Sequence, residues 1–339
     1  MKKSVLAVAV GAAMAMANAA NADVSVYGKA HVSVDSLNNG DKSYLYVSSN
    51  SSRIGFKATE DLDGGMKLGF LAEQTIKMDG TGTKVFDRET YLNLGGGFGS
   101  AAIGKIDTPM KGLGRKIDFF GDQIGDSRNL IAQSSAGVGY DARPDNMIAY
   151  TTPDMSGISA TVAYMPDDGT KNASGFDLAG NYTGGPLFVG FAYESHGKGM
   201  NGTATESESG VRLGASYALG DLKFAGLFES LTNIAGVKDK NTTVLGAGAS
   251  YKLGAGSVKG QLYNAAKYKD TSKTGAMMIA LGYDYTLSKN TWVYAAYAVT
   301  NNDANAKYSE AGAGHGTDPG AFAVGKDPKG LSFGVVTKF

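Results

Sequence analysis

Much of the chain alternates with period two. From Val24 onward, Val24, Val26, Gly28, Ala30, Val32 and Val34 fall on one side, and Tyr27, Lys29, His31 and Ser33 on the other. Leu187, Val189, Phe191 and Tyr193 alternate with Phe188, Gly190, Ala192 and Glu194. Val211, Leu213, Ala215 and Tyr217 alternate with Gly210, Arg212, Gly214 and Ser216. Met277, Ile279, Leu281, Tyr283 and Tyr285 alternate with Ala276, Met278, Ala280, Gly282 and Asp284. Side chains on an extended strand point alternately to its two faces, so each run presents one apolar stripe. The chain also ends inside such a run: Leu331, Phe333, Val335 and Phe339 share a face, interrupted by Thr337, opposite Ser332, Gly334, Val336 and Lys338. A terminal strand with an apolar stripe needs a partner strand and an apolar medium, and a closed barrel in a bilayer supplies both.

Turn chemistry counts the strands. Short turns are expected at 61–65, 95–99, 153–157, 183–185, 219–221, 253–256 and 287–290, each rich in Gly, Asp, Asn or Ser. Longer polar connections are expected near 36–50, 76–88, 106–141, 166–175, 195–208, 230–241, 267–274 and 301–329. Alternation of the two kinds gives about 16 antiparallel strands with both chain ends at the short-turn side. Even strand number with short turns at one end and long loops at the other is the pattern of outer-membrane barrels. After Asp23 no apolar run approaches the ~20 residues of a membrane-spanning helix. Period-2 stripes escape a window average, so this absence does not exclude the membrane.

The N-terminus points to export. Lys2 and Lys3 precede an uncharged Ala/Val/Met run, and Ala20-Asn21-Ala22 forms a small-x-small cleavage site. The expected domains are a signal peptide, 1–22, and a mature barrel, 23–339. With no Cys, no disulfide framework holds the exported chain. The 49 Gly against 7 Pro suit strands packed closely in a curved wall, and 18 Tyr with 14 Phe suit interfacial girdles. Loss of the two leader lysines leaves 30 basic against 32 acidic residues. That balance gives no reason to expect a nucleic-acid partner.

Four internal stretches and the C-terminal strand resemble the Gram-negative general porin family, the trimeric barrels of the Neisseria and Comamonas type. They are Val24-Ser-Val-Tyr-Gly28; Ser52-Arg-Ile-Gly-Phe-Lys-Ala-Thr-Glu-Asp-Leu62; Arg88-Glu-Thr-Tyr-Leu-Asn-Leu94 followed by Gly97-Phe-Gly99 and Gly104-Lys-Ile-Asp-Thr-Pro109; and Arg143-Pro-Asp-Asn-Met-Ile-Ala-Tyr150 with Pro153. Their order spans the whole mature chain. The resemblance implies a water-filled homotrimeric channel in the cell outer membrane, with the third loop folded into the lumen and external loops facing outward. It further implies contact with outer-membrane lipid and lipopolysaccharide. Delivery by periplasmic chaperones to the barrel-assembly machinery follows too, with Phe339 as the assembly signal.

The segment 106–141 stands out by length, and connections that long are usually functional. It carries Asp107, Lys111, Arg115, Lys116, Asp118, Asp122, Asp126 and Arg128. Arg53 and Lys57 fall on the non-lipid face of their strand, and Lys105 and Arg143 flank the loop. In the family the wall opposite the loop is typically basic, so these twelve residues are the expected pore lining. Opposed charges across a pore sort solutes by charge and dipole. Ala102, Ala149 and Val336 stand at inward positions where such porins often carry Arg. Only weak charge selectivity is therefore expected.

Gly99-Ser-Ala-Ala-Ile-Gly-Lys105 nearly spells a phosphate-binding loop, but Ile106 replaces the required Ser/Thr and the segment reads as strand. The three His, at 31, 196 and 315, lack metal-ligand spacing. No enzyme, cofactor or metal site is implied. The leading expectation is passive diffusion of small hydrophilic solutes and ions. The alternatives are a substrate-specific facilitator, which would need an aromatic track beyond Tyr27 and Tyr263, and a loop-mediated adhesion or phage-receptor role.

Overall fold

The computed structural model describes residues 22–80, 85–132, 139–200, 202 and 204–339. The expected signal peptide lies outside the described residues except for Ala22, the first residue of β1. The strands in chain order are β1 (Ala22–Asn38), β2 (Ser43–Ser49), β3 (Arg53–Asp61), β4 (Lys67–Thr75), β5 (Thr90–Gly96), β6 (Gly99–Lys105), β7 (Met147–Thr151) and β8 (Ile158–Met165). There follow β9 (Gly175–Gly184), β10 (Leu187–His196), β11 (Glu208–Leu219), β12 (Leu222–Thr232), β13 (Thr242–Leu253), β14 (Gly256–Ala265), β15 (Ala276–Thr286), β16 (Thr291–Asn302) and β17 (Lys329–Lys338). Two helices, α1 (Pro109–Ile117) and α2 (Arg128–Ile131), lie between β6 and β7.

Every strand pairs antiparallel with its neighbour, and β17 returns to β1 with Lys29 opposite Lys338 and Asn38 opposite Lys329. The sheet is therefore closed, which removes the exposed edges an open sheet would present. β2 and β3 both pair with β1 and form two halves of one wall strand, giving a 16-strand barrel. The chain's last residue is fixed at this closure. Phe339 exchanges backbone hydrogen bonds with Gly28 at 3.0 and 3.2 Å. Its ring occupies the space a side chain at 28 would need: a Cβ there would fall 2.4 Å from the ring.

The outward stripes are the expected ones. Phe333 is 56% and Leu281 58% exposed, with Val189, Leu213 and Leu331 also bare. Apolar exposure spread over a whole wall is expected of a lipid-facing surface. The inward partners Ser332, Val336, Arg212 and Ala280 are buried inside the barrel.

Two expectations need correction. The first connection is not a 36–50 loop: β1 runs to Asn38, and Tyr44-Leu-Tyr-Val47 forms β2, leaving only 39–42 as a turn. The polar run at 50–52 hid this strand. Ser51 has φ +53°, and the Ser52 hydroxyl bonds the His31 carbonyl at 2.9 Å, so the residues form a bulge within the wall. The third loop, read as structureless, contains α1 and α2.

Candidate functional site

The third loop, between β6 and β7, crosses the barrel interior. α1 starts where Pro109 supplies a preset φ and the Thr108 hydroxyl accepts the Lys111 amide. The Asp177 carboxylate on β9 accepts the Met110 amide at 2.9 Å. Met110, Leu113 and Ile117 recur at i, i+3 and i+7 and are buried together with Tyr140, Phe188 and Leu227. Burying three such side chains contributes roughly 4–9 kcal/mol before entropy, at ~1.5–3 each. The wall makes room with glycine: a Cβ at Gly190 would meet Leu113 at 2.4 Å, and one at Gly214 would meet Ile117 at 2.7 Å. Beyond α1, Phe120 and Ile124 seat against Leu37, Ala280, Ala296, Ala298 and Val336.

Arg212 on β11 is 0% exposed and holds the loop at several points. It donates to the carbonyls of Met110 (2.8 Å), Ile131 (3.3 Å) and Tyr140 (3.3 Å), and to the Glu229 carboxylate (2.5 Å). The sequence offered a signal that was passed over: a charge at an inward strand position among Gly, Ala and Ser. Glu73, Asp177 and Glu229 carry the same mark.

Most of the expected pore-lining charges meet one another. Asp122 is 2% exposed and takes Lys29 at 2.6 Å, both Arg115 guanidinium nitrogens at 3.0 and 3.1 Å, and Arg128 at 2.8 Å. Asp126 is buried and takes Arg128 at 2.6 and 2.9 Å. Burial alone would raise the Asp122 carboxyl, but the cations beside it hold it well below the usual carboxylate range. Asp126 is likewise lowered against burial, chiefly by Arg128. Asp118 faces no cation within ion-pair distance among the described residues. It accepts from the Phe120 and Ser127 amides and the Gln261 side chain at 2.9, 3.2 and 2.8 Å, and burial pushes it up to about 7.

The flanking charges also pair. Asp107 takes Lys111 at 3.0 Å and Arg143 at 2.7 Å. Lys105 pairs with exposed Asp145 at 2.6 Å, and Arg53 with Glu73 at 3.2 Å. Lys116 is exposed, its ammonium 4.9 Å from the Phe188 ring. Lys57 is exposed, with no ion-pair partner among the described residues. Tyr27 donates to Glu73 at 3.0 Å. Tyr263, by contrast, is buried against the third loop, so the two inward tyrosines form no continuous track.

An open cavity of about 860 Å³ remains between the start of the third loop and the β3–β8 wall. Lys57, Lys67 and Asp107 supply charged lining, Thr59, Asn93, Ser100, Thr151 and Thr161 neutral polar lining, and Ala102 and Ala149 small apolar lining. Val336 instead packs in the apolar cluster beneath Phe120 and Ile124.

Comparison with known proteins agrees with this architecture. The Gram-negative porin family pattern matches residues 7–305. The chain is 32% identical to outer membrane porin protein 32 of Delftia acidovorans, over 99% of each chain. It is 30% identical to major outer membrane protein P.IB of Neisseria meningitidis serogroup B, over 64% of this chain and 66% of that one. Among solved structures it resembles the anion-selective porin from Comamonas acidovorans, with TM-score 0.80, 25% identity and coverage of 94% of this chain and 100% of that one. The trimer form of OmpT from Vibrio cholerae shares the fold, with TM-score 0.71 and 17% identity over 94% and 99% of the two chains. A closed 16-strand wall, an inward third loop and these relatives lead to one conclusion: the chain belongs to the Gram-negative porin family, outer-membrane channel proteins and not enzymes.

Proposed function

We propose that the channel passes small hydrophilic solutes and ions by diffusion, with a weak preference for anions. One observation carries the sign of this preference. The third loop's acids Asp122 and Asp126 are buried among cations, while Lys57 faces the cavity unpaired among the described residues. A paired, desolvated carboxylate projects little field into the lumen, whereas an exposed ammonium attracts anions there. The weakness follows because the other charges lining that cavity are paired, Lys67 with Asp61 and Asp107 with Lys111 and Arg143, among neutral Thr, Asn, Ser and Ala positions. The Comamonas acidovorans relative is named as anion-selective, which agrees in sign.

The working unit is a homotrimer, as in the trimer form of the OmpT structure. It forms after removal of 1–22, with lipid and lipopolysaccharide against the outward stripes. Periplasmic chaperones and the assembly machinery act through the Phe339 end. Reversal potentials in planar bilayers under a salt gradient test the selectivity. The expected wild-type potential lies modestly on the anion side. Lys57→Gln with Lys116→Gln moves it toward cations, whereas Arg53→Gln moves it less because Arg53 is already tied to Glu73. A cation-selective wild type, or a potential indifferent to the lysine pair, overturns the proposal.

A further inference from the structure

The eighth long connection, 303–328, is bonded into the barrel mouth. The Gly125 amide donates to the Glu310 carbonyl at 2.6 Å, and the Ala313 amide to the Asn129 side chain at 3.2 Å. On its other side the Gly316 amide donates to Asn50 at 2.7 Å, and the Ser51 hydroxyl donates to the Gly314 carbonyl at 3.0 Å. A Cβ at Gly314 would fall 1.8 Å from Arg128 and 3.0 Å from Asp122. The connection thus joins the third loop to the β1–β3 wall.

Two titratable side chains are buried in this seam. Glu310 is fully buried and its Oε1 has no hydrogen-bond partner among the described residues. Its Oε2 has the Ser309 hydroxyl at 3.4 Å, and the carboxyl lies over Gly330 beside Leu37 of β1 and Ile124 of the third loop. The charged group acting on it is Asp318 of its own connection, and no cation among the described residues offsets its burial. His315 has Nδ1 2.7 Å from the Thr317 carbonyl and Nε2 3.3 Å from the Asp35 carboxylate. Around it lie the Ser48 hydroxyl, which bonds Asp35 and Thr317, with His31 of β1 and Asp318 within electrostatic reach.

We propose that 303–328 is a strap that holds the third loop in place at low pH and releases it as pH rises, with Glu310 as the positioning residue that responds. Burial pushes the Glu310 carboxyl up to about 8. A raised acid stabilises docking fully below its undocked value and loses that contribution as pH climbs through the docked one.

The full-length protein in detergent is digested with trypsin at about pH 5.5 and about pH 9, and cleavage after Lys307 is scored against cleavage after exposed Lys269. The ratio is expected to rise at least about tenfold with pH in the wild type and much less in Glu310→Gln. The chain has no native Cys, so a disulfide between Asn129→Cys and Ala313→Cys can close the strap independently. It should flatten the ratio until reduced. A flat wild-type ratio, or a Glu310→Gln or oxidised disulfide variant that keeps the wild-type rise, overturns the proposal. In bilayers the same comparison should show conductance increasing with pH. A protein that conducts without this dependence refutes the strap alone, and one that never conducts refutes the channel reading.

Discussion

Replacing Arg212 with Met is the most searching perturbation of the third loop. The change keeps bulk and removes every donor from a fully buried site. Breaking one side of a buried ion pair costs ~3–5 kcal/mol, because the partner, here Glu229, is left uncompensated. The Met110 carbonyl also loses a charge-assisted bond of 2.8 Å, worth ~1.5–3 kcal/mol and not strictly additive. The two carbonyls at 3.3 Å are weaker and are left out of the sum. A loss of about 4 kcal/mol to loop docking is a conservative total, equivalent to roughly a thousandfold in the docking equilibrium. Hydrogen exchange of the α1 amides, 110–117, reads that change directly, and single-channel conductance should rise as the loop leaves the lumen. The double variant Arg212→Met with Glu229→Met removes both charges and should recover to within ~1–2 kcal/mol of wild type. The reasoning fails if Arg212→Met exchanges α1 within about fivefold of wild type, or if the double variant is no better than the single one.

Three further outcomes follow from the same geometry. The Asp122 carboxyl is held below its ordinary value, so its contribution is present above the usual carboxylate pKa and lost as pH falls through the lower folded value. Asp122→Asn should therefore lower thermal stability most at neutral pH, by the ~3–5 kcal/mol of a broken buried pair. The gap to wild type should narrow in strong acid; a constant gap across pH would refute the assignment. Gly28→Ala should displace the Phe339 ring, which a Cβ would meet at 2.4 Å, at an overpacking cost of ~1–3 kcal/mol. Heat-modifiable mobility on gels should show less folded barrel, and adding Phe339→Leu should relieve part of the clash; full folding of Gly28→Ala would contradict it.

Strand number, wall polarity and the position of the constriction loop were all readable in the chain. The first two rest on the alternation of side chains along an extended backbone, which neighbouring residues decide, and the third on the length of 106–141 and the family resemblance. The closure of β17 on β1 followed from counting. The error at 36–50 also has a local cause: inward residues 50–52 are polar because they bond the eighth connection and β1, and polar runs read as loops.

The partners of the charges were not readable. Arg115, Arg128, Asp122 and Asp126 all fall in the third loop, but their spacing does not reveal that they neutralise one another. Lys29 and Asp122 lie 93 residues apart, and Arg212 and Met110 102 residues apart. Such pairs exist only once the barrel has closed and the loop has entered it. The sequence by itself determined a closed barrel with apolar outward stripes, because strand parity is a local property. Only the tertiary structure decided which charges face the lumen and which hold the loop, because burial and pairing depend on what the closed wall brings within about 3–4 Å.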